Sequence, residues 1–509
     1  MVSGETRKTG RTEVVAVAVP AAVMLVIGLW GVNRGAMWRD EGVTFQVARR
    51  TVPQIWRLLQ GVDAVHGLYY FLMHAVLAVR PGEIALRLPS VVAAAATAGL
   101  VAALGVRLGR PRVGLWAGLL YAVNPLAGHY AQEGRSYALV AAGAAGATLL
   151  LVRAVEGRPG PAGRPWWLYG GAVAVTGLLH ELAVLVLCAH AVTLALLRVP
   201  RAVWRQWGQA AGAVVVVLLP LVLVSRGQSA QVGWLSAPDW ESGERLVRSF
   251  AAGPRGVVFW GCLVLMAVGC LAGRAAAFAA PLMMVPPGLL MLLSQVRPLY
   301  HDRYVLYALA GAPLLIAAGA DRLARIAGRR LPSPAVTVAG VLAVTLVFLH
   351  VLPLHRHYRT PAHRPDNLAS VSALAAREVR PGDPVLFLPS LGRRAALAYP
   401  KGFRGVRDLA LQAPGDRSGT LYGREVGPGE LRRRLAAVNR LWVVAEPYTL
   451  GTRWYPHDLT ERAKLVTVGE WFVPRWQSVR DGVTLRLYVR RPATGSPAFL
   501  EPPRRPAPR

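Results

Sequence analysis

Charged residues are scarce in this sequence, and acidic residues are scarcer than basic ones. Only 17% of the 509 residues are charged, whereas 54% are hydrophobic and the mean hydropathy is +0.37. Soluble globular proteins carry about 25% charged residues, so the composition argues against a soluble enzyme, a disordered chain and a coiled coil. A protein that crosses the membrane several times is therefore the first hypothesis.

Lysine and cysteine are also nearly absent. Only three of the 58 basic residues are lysines, so arginine carries the net charge of +31. No basic stripe with interleaved aromatic residues appears in a soluble segment, and we therefore exclude nucleic acid as a partner. The three cysteines, Cys188, Cys262 and Cys270, lie in apolar runs without the spacing of metal ligands, so we expect ordinary core residues without disulfides.

Long apolar runs are abundant and predict the transmembrane helices. A membrane-spanning helix needs about 20 mostly apolar residues. Eleven runs are candidates, some of them short: 14–33, 84–106, 113–131, 135–152, 166–180, 182–197, 208–225, 256–273, 275–295, 304–320 and 334–352. Basic residues precede the first run as in a signal peptide, but no cleavage site follows it, so we predict an uncleaved anchor.

The arginines between these runs predict the orientation of a multi-pass protein of the cell membrane. Short, arginine-dense segments alternate with loops that are very short or mixed in charge, and cytoplasmic loops carry the excess of arginine and lysine. The N-terminus is therefore predicted in the cytoplasm. The arginine-dense cytoplasmic segments are 107–112, 153–164, 198–205, Arg274 and 322–330. Eleven spans then place the C-terminal region on the extracytoplasmic side.

The chain changes character after residue 352, because no later run is long enough to span a membrane. Short apolar runs at 385–388 and 441–444 are typical of buried strands, and 366–379 and 428–438 of helices. We predict an all-α polytopic membrane domain over 1–352, with about eleven transmembrane helices plus interfacial helices. A small extracytoplasmic α/β domain over 353–500 and a disordered tail at 501–509 complete the predicted architecture.

The first loop, 34–83, is too polar to span the membrane and too apolar for an ordinary loop. Helical spacing of its apolar residues at 40–50, 52–59 and 67–79 predicts three short interfacial helices. The first of them begins with Asp40 and Glu41. The structural interpretation is an N-cap and a first-turn carboxylate. The functional interpretation is a carboxylate that accepts a proton from a hydroxyl or holds a metal ion.

Further polar residues are predicted on the same side of the membrane as Asp40. Ionisable residues close to a membrane are costly and usually functional. Each of them alone is also explained as an interfacial anchor or a loop residue, and their location together favours a common site. They are Asp63, His66, Tyr69, Tyr70, Arg87, Gln132, Glu133, Arg135, Tyr137, His180, Glu181, His301, Asp302, Arg303 and Tyr304.

At these residues the sequence resembles a known family, the GT-C integral-membrane glycosyltransferases. The resemblance is to the family 39 group, akin to protein O-mannosyltransferases and the lipid A aminoarabinose transferase. It rests on an ordered set: D-E at 40–41, R-L-P-S at 87–90, Q-E-x-R-x-Y at 132–137 and R-Y at 303–304. Many relatives also carry H-P-P-L-Y-Y. Here residues 63–70 are D-A-V-H-G-L-Y-Y, which lacks both prolines and is similar to an actinobacterial subgroup.

The resemblance implies transfer of a sugar, such as mannose or another hexose or pentose, from a polyprenyl phosphate to a hydroxyl acceptor. Asp40, with Glu41 beside it, is expected to act as the base. Arg303, together with Arg135 or His301, is expected to bind the phosphate, because the arginine fork suits that group. The remaining polar residues would bind substrate, and a direct displacement would invert the anomeric configuration.

Three points stay open at the level of sequence. The acceptor is a protein hydroxyl, a cell-envelope glycan or a lipid, and a divalent metal ion bridging Asp40 and Glu133 is neither required nor excluded. A lipid-linked-sugar flippase or another transporter is the alternative function. A transporter predicts ionisable groups near the middle of the spans, beside broken helices. Nearly all such groups here lie at the ends of spans, which favours the transferase.

Overall fold

The computed structural model describes residues 2–157, 164–251, 253–254, 256–327, 332–360, 363, 366–450, 454–480 and 482–492. The chain divides into two compact units. The helical unit comprises Met1–Pro365 and Gly419–Leu421, and the sheet unit comprises Asp366–Ser418 and Tyr422–Arg509. The predicted tail at 501–509, and parts of the predicted cytoplasmic segments at 153–164 and 322–330, lie outside the described residues.

The helical unit contains sixteen α-helices within its described residues. They are α1 (Val2–Leu29), α2 (Arg39–Ala48), α3 (Val52–Leu59), α4 (Gly67–Val79), α5 (Glu83–Leu108), α6 (Pro111–Ala122), α7 (Pro125–Tyr130), α8 (Tyr137–Glu156), α9 (Arg164–Leu179), α10 (Val186–Leu196), α11 (Arg201–Gly227), α12 (Trp240–Phe250), α13 (Val257–Gly269), α14 (Arg274–Leu293), α15 (Gly311–Ala327) and α16 (Ser333–Tyr358). Short 3₁₀ helices cover Ala64–His66, Glu181–Leu185, Ser229–Val232 and Asp302–Ala310.

Seven of the described helical segments are long and apolar enough to cross a membrane. They are Gly10–Leu29, Glu83–Leu108, Tyr137–Glu156, Arg201–Gly227, Arg274–Leu293, Asp302–Ala327 and Ser333–Tyr358. Three shorter apolar segments, Ala64–Val79, Glu181–Leu196 and Val257–Gly269, accompany them. The predicted all-α architecture is therefore confirmed, and the number of eleven spans stays a prediction.

One predicted span, 113–131, is two helices rather than one, so that prediction is wrong. Helix α6 ends at Ala122 and α7 begins at Pro125. Proline has no backbone N–H to continue a helix and suits the first helical position. The Asn124 side chain then caps α7, since its Oδ1 accepts hydrogen bonds from the backbone N–H groups of Leu126 and Ala127.

The three helices predicted in the first loop are present as α2, α3 and α4. Helix α3 buries Ile55, Leu58 and Leu59 on one face and leaves Trp56 62% exposed. Helix α2 differs from the prediction of an interfacial helix, because every residue from Glu41 to Ala48 is buried. Helix α2 therefore lies inside the helical unit, and its polar residues need partners there.

The sheet unit confirms the predicted α/β character. Its elements are α17 (Leu368–Glu378), β1 (Pro384–Leu388), α18 (Arg394–Ala398), β2 (Arg407–Asp408), β3 (Leu411–Ala413), α19 (Gly415–Ser418), β4 (Arg424–Glu425), α20 (Pro428–Ala436), β5 (Arg440–Ala445), α21 (Leu459–Trp471), β6 (Phe472–Arg480) and β7 (Val483–Arg490). Five strands form a sheet in the order β2-β1-β5-β7-β6. Strand β1 is parallel to β2 and β5, and β7 is antiparallel to β5 and β6.

The centre of this sheet is buried on both faces, as parallel strands usually are. All five residues of β1 are buried, and so are five of the six residues of β5. Leu386 and Val443 are directly opposite each other and belong to one apolar core. The predicted strands at 385–388 and 441–444 and the predicted helices at 366–379 and 428–438 correspond to β1, β5, α17 and α20.

Candidate active site

Asp40 lies in the first turn of α2 and is not its cap. The helix begins at Arg39, the N-cap residue is Trp38, and no side chain caps this end. The interpretation of Asp40 as a helix N-cap is therefore wrong. Its carboxylate Oδ2 is 3.1 Å from Nη1 of Arg303, and 21% of the Asp40 side chain is exposed. Asp40 is thus an accessible carboxylate held beside an arginine.

Glu41, the next residue, is in the opposite situation. Its carboxylate receives two hydrogen bonds from Arg87, from Nε and Nη2 at 2.9 Å each, and both side chains are completely buried. Its Oε1 also accepts the backbone N–H of Gly134. Arg87 donates further to the carbonyl oxygens of four residues between Val32 and Ala36. This geometry holds α2, α5 and the loop before α8 together and leaves no exposed surface on Glu41 or Arg87.

Gln132 connects the loop before α8 to the end of α1. Its side-chain nitrogen donates to the carbonyl oxygens of Gly28 and Trp30, each at 2.8 Å, and so holds the end of α1. Ser90 of the R-L-P-S element donates to the carbonyl oxygens of Glu133 and Arg135. Gln132 and Ser90 therefore position the Q-E-x-R-x-Y loop.

Arg303 is surrounded by aromatic rings as well as by Asp40. The centre of its guanidinium group is 5.5 to 5.8 Å from the ring centroids of Tyr137, Tyr304 and Trp234. Cations are attracted to the faces of such rings. Trp234 comes from the loop between α11 and α12, and 63% of it is exposed. Arg303 is thus held among three aromatic rings, one of which is largely exposed.

Arg135 and His66 are the buried part of the site and contact each other. Nη2 of Arg135 is 2.8 Å from Nε2 of His66, and Nη1 is 3.4 Å from the Thr44 hydroxyl. Because arginine only donates, Nε2 accepts and the His66 proton is on Nδ1. Within the described residues, Nδ1 of His66 and Nε of Arg135 have no hydrogen-bond partner. Buried donors without partners are unusual, and a ligand is one explanation for them.

Glu133 adds a buried carboxylate with an unusual pKa. The pKa of Glu133 is raised to about 7, chiefly by burial; Arg303 opposes the shift, and the negative charges of Asp40 and Glu41 contribute to it. Its Oε1 atom has no hydrogen-bond partner among the described residues. Glu133 therefore titrates near neutral pH and offers a free acceptor atom.

Asp63 is tied into the site by a tyrosine and a glutamine. Tyr70 donates to its Oδ2 at 2.7 Å. The Gln231 side-chain nitrogen donates to its Oδ1 at 2.7 Å, and burial raises the pKa of Asp63. Gln228 connects the same loop to the carbonyl oxygen of Leu59 and the N–H of Ala64. Gln228 and Gln231 therefore join the loop that carries Trp234 to the first loop.

The remaining predicted residues lie around this centre. The rings of His180 and Tyr304 are 4.8 Å apart, and His66 is 5.8 Å from His180. The His301 ring is 5.9 Å from Tyr304, and burial lowers the pKa of His301 to about 4, with Arg303 contributing in the same direction.

Asp302 and Glu181, two of the predicted residues, make their contacts outside this centre. Asp302 accepts from Tyr300 and is 3.7 Å from Arg245. Glu181 accepts from Ser225 of α11 at 2.6 Å. Tyr69 is fully buried beneath the site.

The described residues contain no cluster of typical metal ligands. No group of three or more His, Cys, Asp or Glu side chains among them is arranged to hold a metal ion. A metal ion bridging Asp40 and Glu133 stays a prediction, because one or two carboxylates together with water and a substrate phosphate are a common way to hold Mg²⁺.

The structure brings most of the predicted residues together, and it adds several that the sequence did not indicate. Residues with an accessible or unpaired atom around one centre are Asp40, Glu133, Arg135, His66 and Arg303. Trp234, Gln228, Gln231 and Thr44 were missed. They are uncharged and belong to no recognisable motif, so only their distant contacts reveal them.

Comparison with known proteins finds a family match over part of the chain. Residues 67–225 match the family described as dolichyl-phosphate-mannose-protein mannosyltransferase. This range contains Arg87, Glu133 and Arg135, and Asp40 and Arg303 lie outside it. A search of the curated proteins finds no match to the sequence.

Several solved structures are similar to this chain over most of its length. ArnT from Cupriavidus metallidurans in the apo state is similar with a TM-score of 0.60 and 12% identity, over 93% of this chain and 97% of that one. The same protein bound to undecaprenyl phosphate has a TM-score of 0.57 at 14% identity, over the same shares of both chains. The oligosaccharyltransferase of Archaeoglobus fulgidus in the apo form has a TM-score of 0.52 at 10% identity, over 91% and 73%.

These likenesses define the class of protein. The chain is a polytopic membrane protein with the GT-C fold, and the family match over residues 67–225 contains two of the four sequence elements, those at 87–90 and 132–137.

Proposed function

We propose that this protein is a membrane glycosyltransferase that moves a sugar from a polyprenyl-phosphate donor to a hydroxyl acceptor on the extracytoplasmic face. The observation that carries the proposal is the contrast between Asp40 and Glu41. Asp40 is accessible and beside Arg303, whereas Glu41 is buried and fully engaged with Arg87. Such an arrangement presents one reactive carboxylate at an open site.

The chemistry follows from these positions. The acceptor oxygen attacks the anomeric carbon while the bond from that carbon to the phosphate oxygen breaks. Asp40 takes the proton of the acceptor hydroxyl, and the leaving phosphate keeps the bonding electron pair. Attack opposite the leaving group inverts the anomeric configuration. A phosphate monoester is a weak base, so no strong general acid is required.

Arg303 and Arg135 stabilise the charge that develops on the phosphate. Fixed cations in a partly buried site stabilise such charge more than they would in water. Arg303 is suited to this role because only 11% of its side chain is exposed and its Nε has no partner within the described structure. His66, Glu133 and Arg135 offer unpaired donors and an acceptor, which match the hydroxyl groups of a sugar.

The comparisons support the class of donor. The matching family is described by its use of dolichyl-phosphate mannose, and the ArnT structure holds undecaprenyl phosphate. Both are polyprenyl phosphates. We propose mannose or another hexose or pentose as the sugar, and a cell-envelope glycan, lipid or protein as the acceptor.

The test is Asp40→Asn in the full-length protein, assayed with a radiolabelled polyprenyl-phosphate sugar. The change preserves size and removes the base, so the transfer rate should fall by about 10²-fold or more. Thermal unfolding should change little, because Asp40 caps no helix. Asp239→Asn is the matched control, since Asp239 is the true N-cap of α12 and Asn caps almost as well.

Two outcomes would contradict the proposal. A fully active Asp40→Asn enzyme would remove Asp40 from the chemistry and move the assignment to Glu133. Efficient use of a soluble nucleotide sugar in the absence of lipid would refute the donor class.

A further inference from the structure

A groove separate from the Asp40 site lies where α16 ends. Its volume is about 500 Å³, and it is formed by the Tyr358 end of α16, the start of α7 and one face of α12. Volumes of this size are typical of ligand sites. Asp40, Glu133, Arg135 and Arg303 are not among the residues that line it. The groove is therefore a second concave surface of the helical unit.

The lining combines basic side chains with an apolar floor. Arg245 and Arg248 of α12 face His350 and His357 of α16, and Leu126, Val351 and Leu354 contribute apolar surface. No acidic side chain is among the described lining residues. Arg245 lies 3.7 Å from Asp302, and Arg248 pairs with Glu244. A guanidinium group has five N–H donors, so both arginines keep donors for a second anionic group.

The surface of α16 leads directly into this groove. Leu342, Leu346 and Leu349 are 55 to 67% exposed and lie on one face of the helix, because residues three and four apart are neighbours. The same stripe continues through His350, Pro353 and His357 into the groove. Only 11% of the most apolar stretch of α16 is buried inside the protein. Lipid tails would therefore lie along the leucines, with a headgroup at the histidines and arginines.

We propose that this groove binds an anionic phospholipid of the surrounding bilayer. The described lining is basic and contains no acidic side chain, so its charge complements a negatively charged headgroup, and arginine suits the phosphate of that headgroup. The phosphate of a sugar donor is bonded directly to the anomeric carbon, so a productive donor must place its phosphate beside Asp40. A groove whose lining excludes both Asp40 and Arg303 does not meet that requirement. This inference is independent of the proposed transfer reaction.

The test uses the purified full-length protein in mixed micelles with phosphatidylglycerol or phosphatidylcholine of identical chains. Phosphatidylglycerol should raise the melting temperature and be retained in native mass spectrometry. Arg248→Gln should lower its apparent affinity about fivefold, as expected for one arginine near a charged lipid headgroup. Leu354→Trp should block the groove by volume without changing its charge.

Arg226→Gln is the matched control. Arg226 is an exposed arginine in the last turn of α11, outside the groove, and its loss should leave the phosphatidylglycerol effect unchanged. Equal effects of the two lipids would overturn the proposal, and so would groove variants that respond like the wild type. Displacement of phosphatidylglycerol by undecaprenyl phosphate, together with a raised donor KM in the groove variants, would assign the groove to the donor instead.

Discussion

His190 and His66 are both buried in the helical unit, but among the described residues only the hydrogen-bond network of His190 has an acceptor for every donor. In the network of His190, the Trp207 N–H donates to the Tyr169 hydroxyl, which in turn donates to Nδ1 of His190. Nε2 of His190 then donates to Thr148, and Thr148 donates to the carbonyl oxygen of Ala144. Each donor in this chain has an acceptor, so the network is complete without a ligand.

The network of His66 remains open. Arg135 donates to Nε2 of His66, which leaves the proton on Nδ1 without a partner in the described structure. Unpaired atoms of Glu133, Arg135 and Arg303 belong to the same region. A buried polar group without a partner costs about 1–3 kcal/mol. The difference teaches that a complete network needs no ligand, whereas the open network of His66 leaves donors and acceptors that a ligand can pair.

The largest expected effect concerns Glu41, whose interactions are complete like those of His190. Glu41→Leu leaves the charge of Arg87 buried and uncompensated, so the free energy of unfolding should fall by about 3–5 kcal/mol. The double variant Glu41→Leu/Arg87→Met should recover much of that loss. Thermal unfolding of the purified variants measures both changes, and equal stabilities of the single and double variants would contradict the pair.

The two histidines test the comparison directly. His190→Phe should lower the free energy of unfolding by about 1–3 kcal/mol and leave the transfer rate per folded molecule unchanged. His66→Phe should instead reduce that rate about tenfold or more, since a hydrogen bond to a charged group contributes about 1.5–3 kcal/mol. Unfolding and transfer assays on both variants test these two expectations. The opposite pattern, with His190 controlling rate and His66 stability, would break the comparison.

A pH dependence sharpens the assignment of Glu133. Its pKa rises from the usual 4.5 to about 7 on folding, so the folded state holds the proton more tightly than the unfolded state. The resulting contribution to stability is complete below pH 4.5 and is lost as the pH rises through 7. Glu133→Gln should therefore gain stability relative to the wild type between those values. A difference in melting temperature that does not vary with pH would contradict the shifted pKa.

Local features of the sequence predicted much of the fold. Long apolar runs indicated a polytopic membrane protein because a spanning helix is recognisable from its own composition. Patterns of a few residues also located β1, β5, α17 and α20. The break between α6 and α7 was missed although Asn124-Pro125 signals it, because apolar neighbours on both sides continued the run.

The candidate site was only partly predictable. Asp40, Arg135 and Arg303 belong to motifs and were found, whereas Trp234 and Gln231 carry no signal of their own. Their importance arises from contacts with residues that are distant in the chain, such as Gln231 with Asp63. Loop residues of ordinary type acquire a role only when the fold brings them beside charged groups.

The sequence by itself determined the class of protein and the order of its polar elements, because hydropathy and motifs are properties of short segments. The family resemblance favoured Asp40 over Glu41 as the base, but the sequence offered no structural reason to separate two adjacent carboxylates in the same helical turn. Only the tertiary structure separated them, through Arg87, 46 residues after Glu41, and Arg303, 263 residues after Asp40. Burial and pairing depend on such distant partners, and they decide which carboxylate is engaged within the protein and which one faces a substrate.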